Sequence, residues 1–246
     1  MNHIFKPYLR KCILVFFDDI LIYNPTYDQH LTHLKTAFEV LKQHALFARM
    51  SKCSFGKTQI EYLGHIITLH GVSTDPNKVT AMKEWPTPET VKELRGFLGL
   101  TGYYRRFIRH YGVISKPLTA LLKKNSFSWN PMAQVAFEKL KSAMTSAPVL
   151  ALPDFTKPFV VEADASGEGI RDVLMQEGHP LAFLSKALSP KHQALSTYEK
   201  EFMAVVLAVE KWRPYLLGRH FVIKTDHYSL KYLMEQKITT AFRASG

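Results

Sequence analysis

The first apolar positions fall in two short runs, residues 12–17 and 20–23, separated only by Asp18-Asp19. β-Branched and aromatic residues dominate both, which predicts a strand, a tight turn and a strand, closed by Asn24-Pro25. The spacing then lengthens. Leu31, Leu34, Phe38, Leu41 and Ala45 recur at helical intervals and predict an amphipathic helix over 30–47. Residues 60–67 read as a further strand, with Gly71 turning the chain towards Val72. Asp75-Pro76 and Trp85-Pro86-Thr87-Pro88 mark a change of texture, and Thr87 or Thr90 is placed to cap a helix. Helical spacing follows through Val91, Leu94, Leu98 and Tyr104, then over 113–122 and 133–144, so a small helical region is expected at about 75–147. Beyond Pro148 and Pro153 the pattern predicts strands at 159–163, 170–176, 181–185 and 221–225. A helix is predicted over 198–216, with Ser196 and Glu199 forming a capping box, and another begins over 229–235. The expected fold class is α+β, in more than one domain.

Composition changes this picture little: 46% hydrophobic and 22% charged residues describe a chain able to bury a core. Two cysteines, Cys12 and Cys53, are too few for a disulfide framework or a zinc site and suit a reducing interior. The apolar run at 12–17 imitates a secretory signal but is cut short by Asp18-Asp19, and nothing approaches the ~18 apolar residues of a membrane span. Charge is more informative. The net +11 is concentrated in residues 1–150, with 20 Lys/Arg against 10 Asp/Glu, while 151–246 hold 12 against 11. A basic half beside a neutral half suits a polyanion partner for the first.

Three constellations could carry chemistry. Adjacent carboxylates such as Asp18 and Asp19 repel one another and resist desolvation; a pair of divalent cations would resolve that, and a solvated turn is the other reading. Residues 78–141 hold 12 Lys/Arg and 4 acids, and Tyr103-Tyr104-Arg105-Arg106-Phe107 interleaves aromatic with basic groups. Tyr104 and Phe107 are expected mostly in the core, with Arg105, Arg106 and Arg109 facing nucleic acid. Asp164 and Asp226 end strands and Glu201 lies early on a helix, so all three could converge on one metal cluster. His30 and His33 sit one helical turn apart with no further ligand spaced to join them, and a surface or packing role is expected.

Phe16-Phe17-Asp18-Asp19-Ile20-Leu21-Ile22-Tyr23 resembles the aromatic-x-Asp-Asp palm motif of reverse transcriptases. The wider resemblance is to gypsy-type LTR retrotransposons, plant-like in particular. It runs through HLTHLKTAFEVL, SKCSFGKTQIEYLGHIIT, EWPTPETVKELRGFLGLTGYYRRFI, PVLALPDFTKPFVVEADASG, LSTYEKEFMAVVLAVEKWRPYLLGR and IKTDHYSLKYL, in family order over nearly the whole chain. The resemblance implies the end of a palm over 1–75, a helical thumb over 76–147 and a C-terminally truncated RNase H-like domain over 148–246. It makes Asp18 and Asp19 polymerase metal ligands, and Asp164, Glu201 and Asp226 RNase H metal ligands, with Mg2+ or Mn2+ as cofactor. Glu201 is preferred to Glu199 because it precedes the helix's apolar run, as the family's acid does. Leu63-Gly64-His65 matches the hairpin that holds the primer end. The implied partners are RNA template, DNA primer, RNA–DNA hybrid, dNTPs and the rest of a Pol polyprotein with its protease and integrase; the implied location is a cytoplasmic virus-like particle or the nucleus.

The sequence departs from that family in two places. Gly-Ile-Gly-Ala-Val-Leu is usual where this chain has Gly169-Ile170-Arg171-Asp172-Val173-Leu174. Arg171 and Asp172 point to opposite faces of a strand, cannot pair with each other, and are expected to strain the sheet. By the resemblance, a third polymerase carboxylate lies upstream of Met1, and a fourth RNase H acid, a strand and a helix lie downstream of Gly246. The isolated chain is therefore expected to be inactive, and a decayed, nucleic-acid-binding remnant is the alternative reading.

Overall fold

A computed structural model describes residues 1–226; the helix expected over 229–235 lies outside the described residues. The chain forms two compact units, Met1–Leu69 and His70–Gly246, each taken by itself below.

In the first unit, β1 (Ile13–Phe16) and β2 (Asp19–Ile22) pair antiparallel, with Phe16 opposite Asp19. Ile13 is buried beside Phe5, Cys12 and, from α1 (Tyr27–Gln43), Ala37 and Leu41, with Ile20 and Ile22 of β2 packed against them. Thr26 caps α1, so the helix begins three residues before the expected start at His30. The single strand expected over 60–67 is instead a hairpin of β3 (Gln59–Tyr62) and β4 (His65–Thr68). Leu63 and Gly64 both adopt positive φ, 51° and 68°, the turn that lets two residues reverse a ribbon.

The second unit opens with β5 (Gly71–Thr74), whose Val72 exchanges two backbone hydrogen bonds with Leu150. α2 (Pro76–Lys83) is capped by Asp75, and α3 (Val91–Tyr103) by Thr90 rather than Thr87. Two short helices follow, α4 (Tyr111–Ile114) and α5 (Lys116–Ala120), where the spacing predicted one over 113–122. Pro117 explains the break: it supplies no N–H and is tolerated only in a helix's first turn, so a new helix starts beneath it. With α6 (Pro131–Thr145), these elements close over Leu94, Phe97, Tyr104, Phe107, Leu118, Phe137 and Leu140.

A four-stranded sheet completes this unit: β6 (Phe159–Ala163), β7 (Gly169–Gln176), β8 (His179–Ala187) and β9 (Phe221–Thr225), in the order β8-β7-β6-β9. β9 runs parallel to β6 and the other pairs are antiparallel. After the single turn α7 (Pro190–Gln193), the long α8 (Thr197–Leu216) lays Ala208, Trp212 and Leu216 against Phe159, Val161 and Leu174. Ser196 and Glu199 do form the capping box.

The helical part and the sheet, distinct in sequence texture, are thus joined in one unit. Phe183 packs into the helical core, whereas its neighbours Ala182 and Leu184 join the sheet–α8 core. Gly112 donates its N–H to Ser185 Oγ at 3.1 Å, and a Cβ there would lie 2.7 Å from the Ser185 carbonyl oxygen. Backbone meets backbone at this point. Gly112→Ala is expected to lower unfolding free energy by about 1–3 kcal/mol through overpacking, measured by urea denaturation; an unchanged midpoint would show that this joint yields freely.

Candidate active sites

The β1–β2 turn consists of Phe17 and Asp18, and its geometry follows from its shortness. With only two residues between Phe16 and Asp19, Phe17 is held at φ 51°, a left-handed conformation uncommon for an aromatic residue. Its ring is 78% exposed and meets Phe16 edge to face at 4.7 Å. Strain of this kind persists where surrounding structure fixes it, and here it presents Asp18 and Asp19 side by side on the surface. Among the described residues, no Lys or Arg forms an ion pair with either carboxylate. The β3–β4 hairpin approaches the same turn: Tyr62 donates its hydroxyl to the Asp19 carbonyl at 3.4 Å, and burial followed by the Asp19 charge raises the Tyr62 pKa. Leu63-Gly64 forms the tip of that hairpin, where His65 Nδ1 lies 2.8 Å from the Leu63 carbonyl oxygen.

The three arginines expected to face nucleic acid are all exposed, and two of them also contact β8. Arg106 donates to the Leu181 carbonyl at 3.3 Å, and the Arg109 guanidinium sits 5.9 Å from the Phe183 ring centre, so both engage β8. Tyr104 and Phe107 are buried, as expected.

At the far end of the sheet, Asp164 follows β6, Asp226 follows β9 and Glu201 lies in the second turn of α8. β6 and β9 are parallel with Ala163 beside Thr225, so the first and third acids leave the sheet together. Glu201 is buried between them. One of its oxygens accepts the Ala165 N–H at 3.0 Å, and the other accepts the Thr225 hydroxyl at 3.2 Å. Glu199 is occupied by the capping box, its carboxylate accepting from Ser196.

Arg171 and Asp172 belong to this end as well, which their spacing alone did not reveal. Continuing the β6–β7 register places Arg171 opposite Asp164: the Arg171 N–H donates to the Asp164 carbonyl at 2.9 Å, and its guanidinium reaches Asp164 Oδ2 at 2.8 Å. Arg171 therefore has a cross-strand partner, and the unpaired charge anticipated for it is absent. Asp172 does carry the anticipated penalty. It is 1% exposed; Oδ1 accepts the Asp164 N–H at 3.3 Å while Oδ2 has no partner. Burial, reinforced by the Asp164 and Glu201 charges and partly opposed by that N–H, pushes its carboxyl up to about 8.

The donor set does not fit a divalent cluster. Among the described residues, no group of three or more His, Cys, Asp or Glu is arranged to hold a metal ion. Both Glu201 oxygens accept protein hydrogen bonds, and Asp164 already faces a cation. The Asp18-Asp19 pair differs in that no Lys or Arg among the described residues forms an ion pair with it.

A hairpin carrying paired acids, a helical bundle and an RNase H-like sheet together define a class of protein: a nucleic-acid polymerase region with a nuclease-like domain. Residues 1–67 match the family described as reverse transcriptase (RNA-dependent DNA polymerase), and residues 129–223 match the RNase H-like domain found in reverse transcriptase. The Pol polyproteins of the Drosophila melanogaster transposons 297 and gypsy are 43% and 34% identical over 96% and 98% of this chain, which spans 23% and 25% of their lengths. An uncharacterised mitochondrial protein of Arabidopsis thaliana is 56% identical over 53% of the chain and 84% of its own length. The fold is shared with a foamy viral protease–reverse transcriptase in complex with double-stranded DNA: TM-score 0.85 at 24% identity, over 96% of this chain and 42% of that one. The chain belongs to the reverse transcriptase–RNase H family of gypsy-type retrotransposon Pol polyproteins.

Proposed function

We propose that this chain supplies two catalytic carboxylates and the adjoining duplex-holding region of an RNA-directed DNA polymerase that performs retrotransposon reverse transcription. The observation that carries the reading is the Asp18-Asp19 pair, held at the surface on a strained two-residue turn and neutralised by no protein cation among the described residues. Such a pair suits divalent ions, Mg2+ or Mn2+, which in two-metal phosphoryl transfer clamp the attacking and leaving oxygens. The protein's part is to hold both carboxylates in place and, through the Leu63-Gly64 turn beside them, to position a primer end. The partners are RNA template, DNA primer and their hybrid, together with dNTPs and the protease and integrase parts of a Pol polyprotein. The setting is a cytoplasmic virus-like particle or the nucleus; no helix among the described residues is long and apolar enough to cross a membrane.

The test is primer extension on an RNA template by this chain joined to the upstream polymerase segment of a related element. Asp18→Asn is expected to slow extension at least about a hundredfold, on the order of 2.7 kcal/mol of transition-state stabilisation. Extension that survives loss of Asp18 and Asp19 together would refute the assignment. For the Asp164–Glu201–Asp226 end, the Arg171 ion pair favours holding of the hybrid without cleavage.

A further inference from the structure

We infer that Arg171 is the resident cation of the Asp164–Glu201 end of the sheet, filling the role of a divalent ion there and keeping the site closed to metals. This inference stands apart from the polymerase proposal, since it concerns the second unit alone.

At this end Asp164 and Glu201 are engaged by the protein, Asp172 is buried and Asp226 is exposed. Asp164 Oδ2 lies 2.8 Å from an Arg171 guanidinium nitrogen, and the backbone hydrogen bond between the same two residues fixes their register, so the pair is built into the sheet. The Glu201 oxygens are bound to Ala165 N–H and the Thr225 hydroxyl. A metal ion would have to displace these donors and sit next to a fixed positive charge. The arginine cannot easily yield, because its guanidinium does not deprotonate in proteins. Nor can it swing freely: Arg171 Nε is enclosed, without a hydrogen-bond partner. His110, from the loop before α4, adds to the enclosure. Its pKa is lowered by burial first, then by Arg171 and Arg109, with Asp164 opposing, so a further basic side chain lies within electrostatic range of the same carboxylate. The titratable groups within electrostatic range of this pair are thus Asp172 from β7, which feels Asp164, and His110 from the helical part, which feels both Asp164 and Arg171. Asp164 carries the charge that a metal ion would otherwise meet, and Arg171 pairs with it from the chain itself.

The experiment is Mn2+ titration of the full chain, followed by the electron paramagnetic resonance signal of free Mn2+, in an Asp18→Asn, Asp19→Asn background that removes the other acid pair. The parent is expected to take up no stoichiometric Mn2+ at millimolar concentration. Adding Arg171→Gly is expected to create a site at least tenfold tighter, which Asp164→Asn abolishes again, and Mg2+ should raise the melting temperature of the Arg171→Gly protein alone. If Arg171→Gly does not fold, Arg171→Met keeps the aliphatic stem without the charge and serves the same comparison. Stoichiometric Mn2+ binding by the parent that disappears on Asp164→Asn would overturn the inference. So would a folded Arg171 variant that binds Mn2+ no better than the parent.

Discussion

Phe97→Ala is expected to remove about 3–5 kcal/mol of unfolding free energy, the range for deleting a fully buried aromatic ring. Phe97 is fully buried in the helical core, its ring centre 4.6 Å from that of Phe137 and 6.0 Å from that of Trp85. Phe137 in turn meets Trp129 at 5.7 Å, so two tryptophans flank the site and report on it. The loss has two parts: the transfer free energy of the ring and the contacts forfeited around the cavity it leaves. α3, α6 and the Trp85 segment converge on that cavity, which limits how far the structure can relax into it. Guanidinium denaturation followed by tryptophan fluorescence measures the effect. Phe97→Leu, which keeps most of the volume, should cost less. A loss below about 1 kcal/mol for Phe97→Ala would mean that the core collapses around the gap.

That residue also shows what periodicity can and cannot convey. The spacing Val91, Leu94, Leu98, Tyr104 finds α3 and its approximate face, but the residues buried on that face are Leu94, Phe97 and Thr101. Phe97 and Leu98 are adjacent apolar residues, and the choice between them depends on the neighbouring helix, which periodicity does not describe. The same holds for residues 59–68, where apolar content is continuous and only the positive φ of Leu63 and Gly64 divides one strand into two. Local signals that act within one turn were legible. Ser196 and Glu199 form the capping box, which leaves Glu201 as the acid directed at the sheet. Arg171 was legible as an anomaly and not as a partner, because its counter-charge sits across a strand pair whose register is set by the whole sheet. The approach of Tyr62 to the Asp19 carbonyl, across 43 residues, likewise has no local signature.

Asp172→Asn is expected to raise stability at neutral pH, by up to about 4 kcal/mol at pH 7. The carboxyl has a folded pKa of about 8 against an ordinary value near 3.8, so the fold favours its protonated form. For an acid shifted upward, its ionisation penalty is absent below the unfolded pKa, grows through the window from about pH 4 to pH 8, and is constant above it. Each unit within that window costs about 1.4 kcal/mol, which sets the figure at pH 7. Asparagine keeps the shape and an acceptor for the Asp164 N–H while removing the charge, and its amide occupies the position of the unpartnered Oδ2. The background works against a false positive: exposed acids such as Asp154 and Glu199, whose pKa values are lowered by hydrogen bonds from Thr156 and Ser196, lose stability as pH falls, the opposite trend. Urea unfolding of parent and variant between pH 4 and pH 8 in EDTA isolates the one group, because the shared background cancels in the difference. The two proteins should be nearly equal at pH 4 and separate steadily above it, with the variant more stable. A difference that stays flat across this range would show that Asp172 remains ionised in the fold, paired with a cation that the present geometry does not give it.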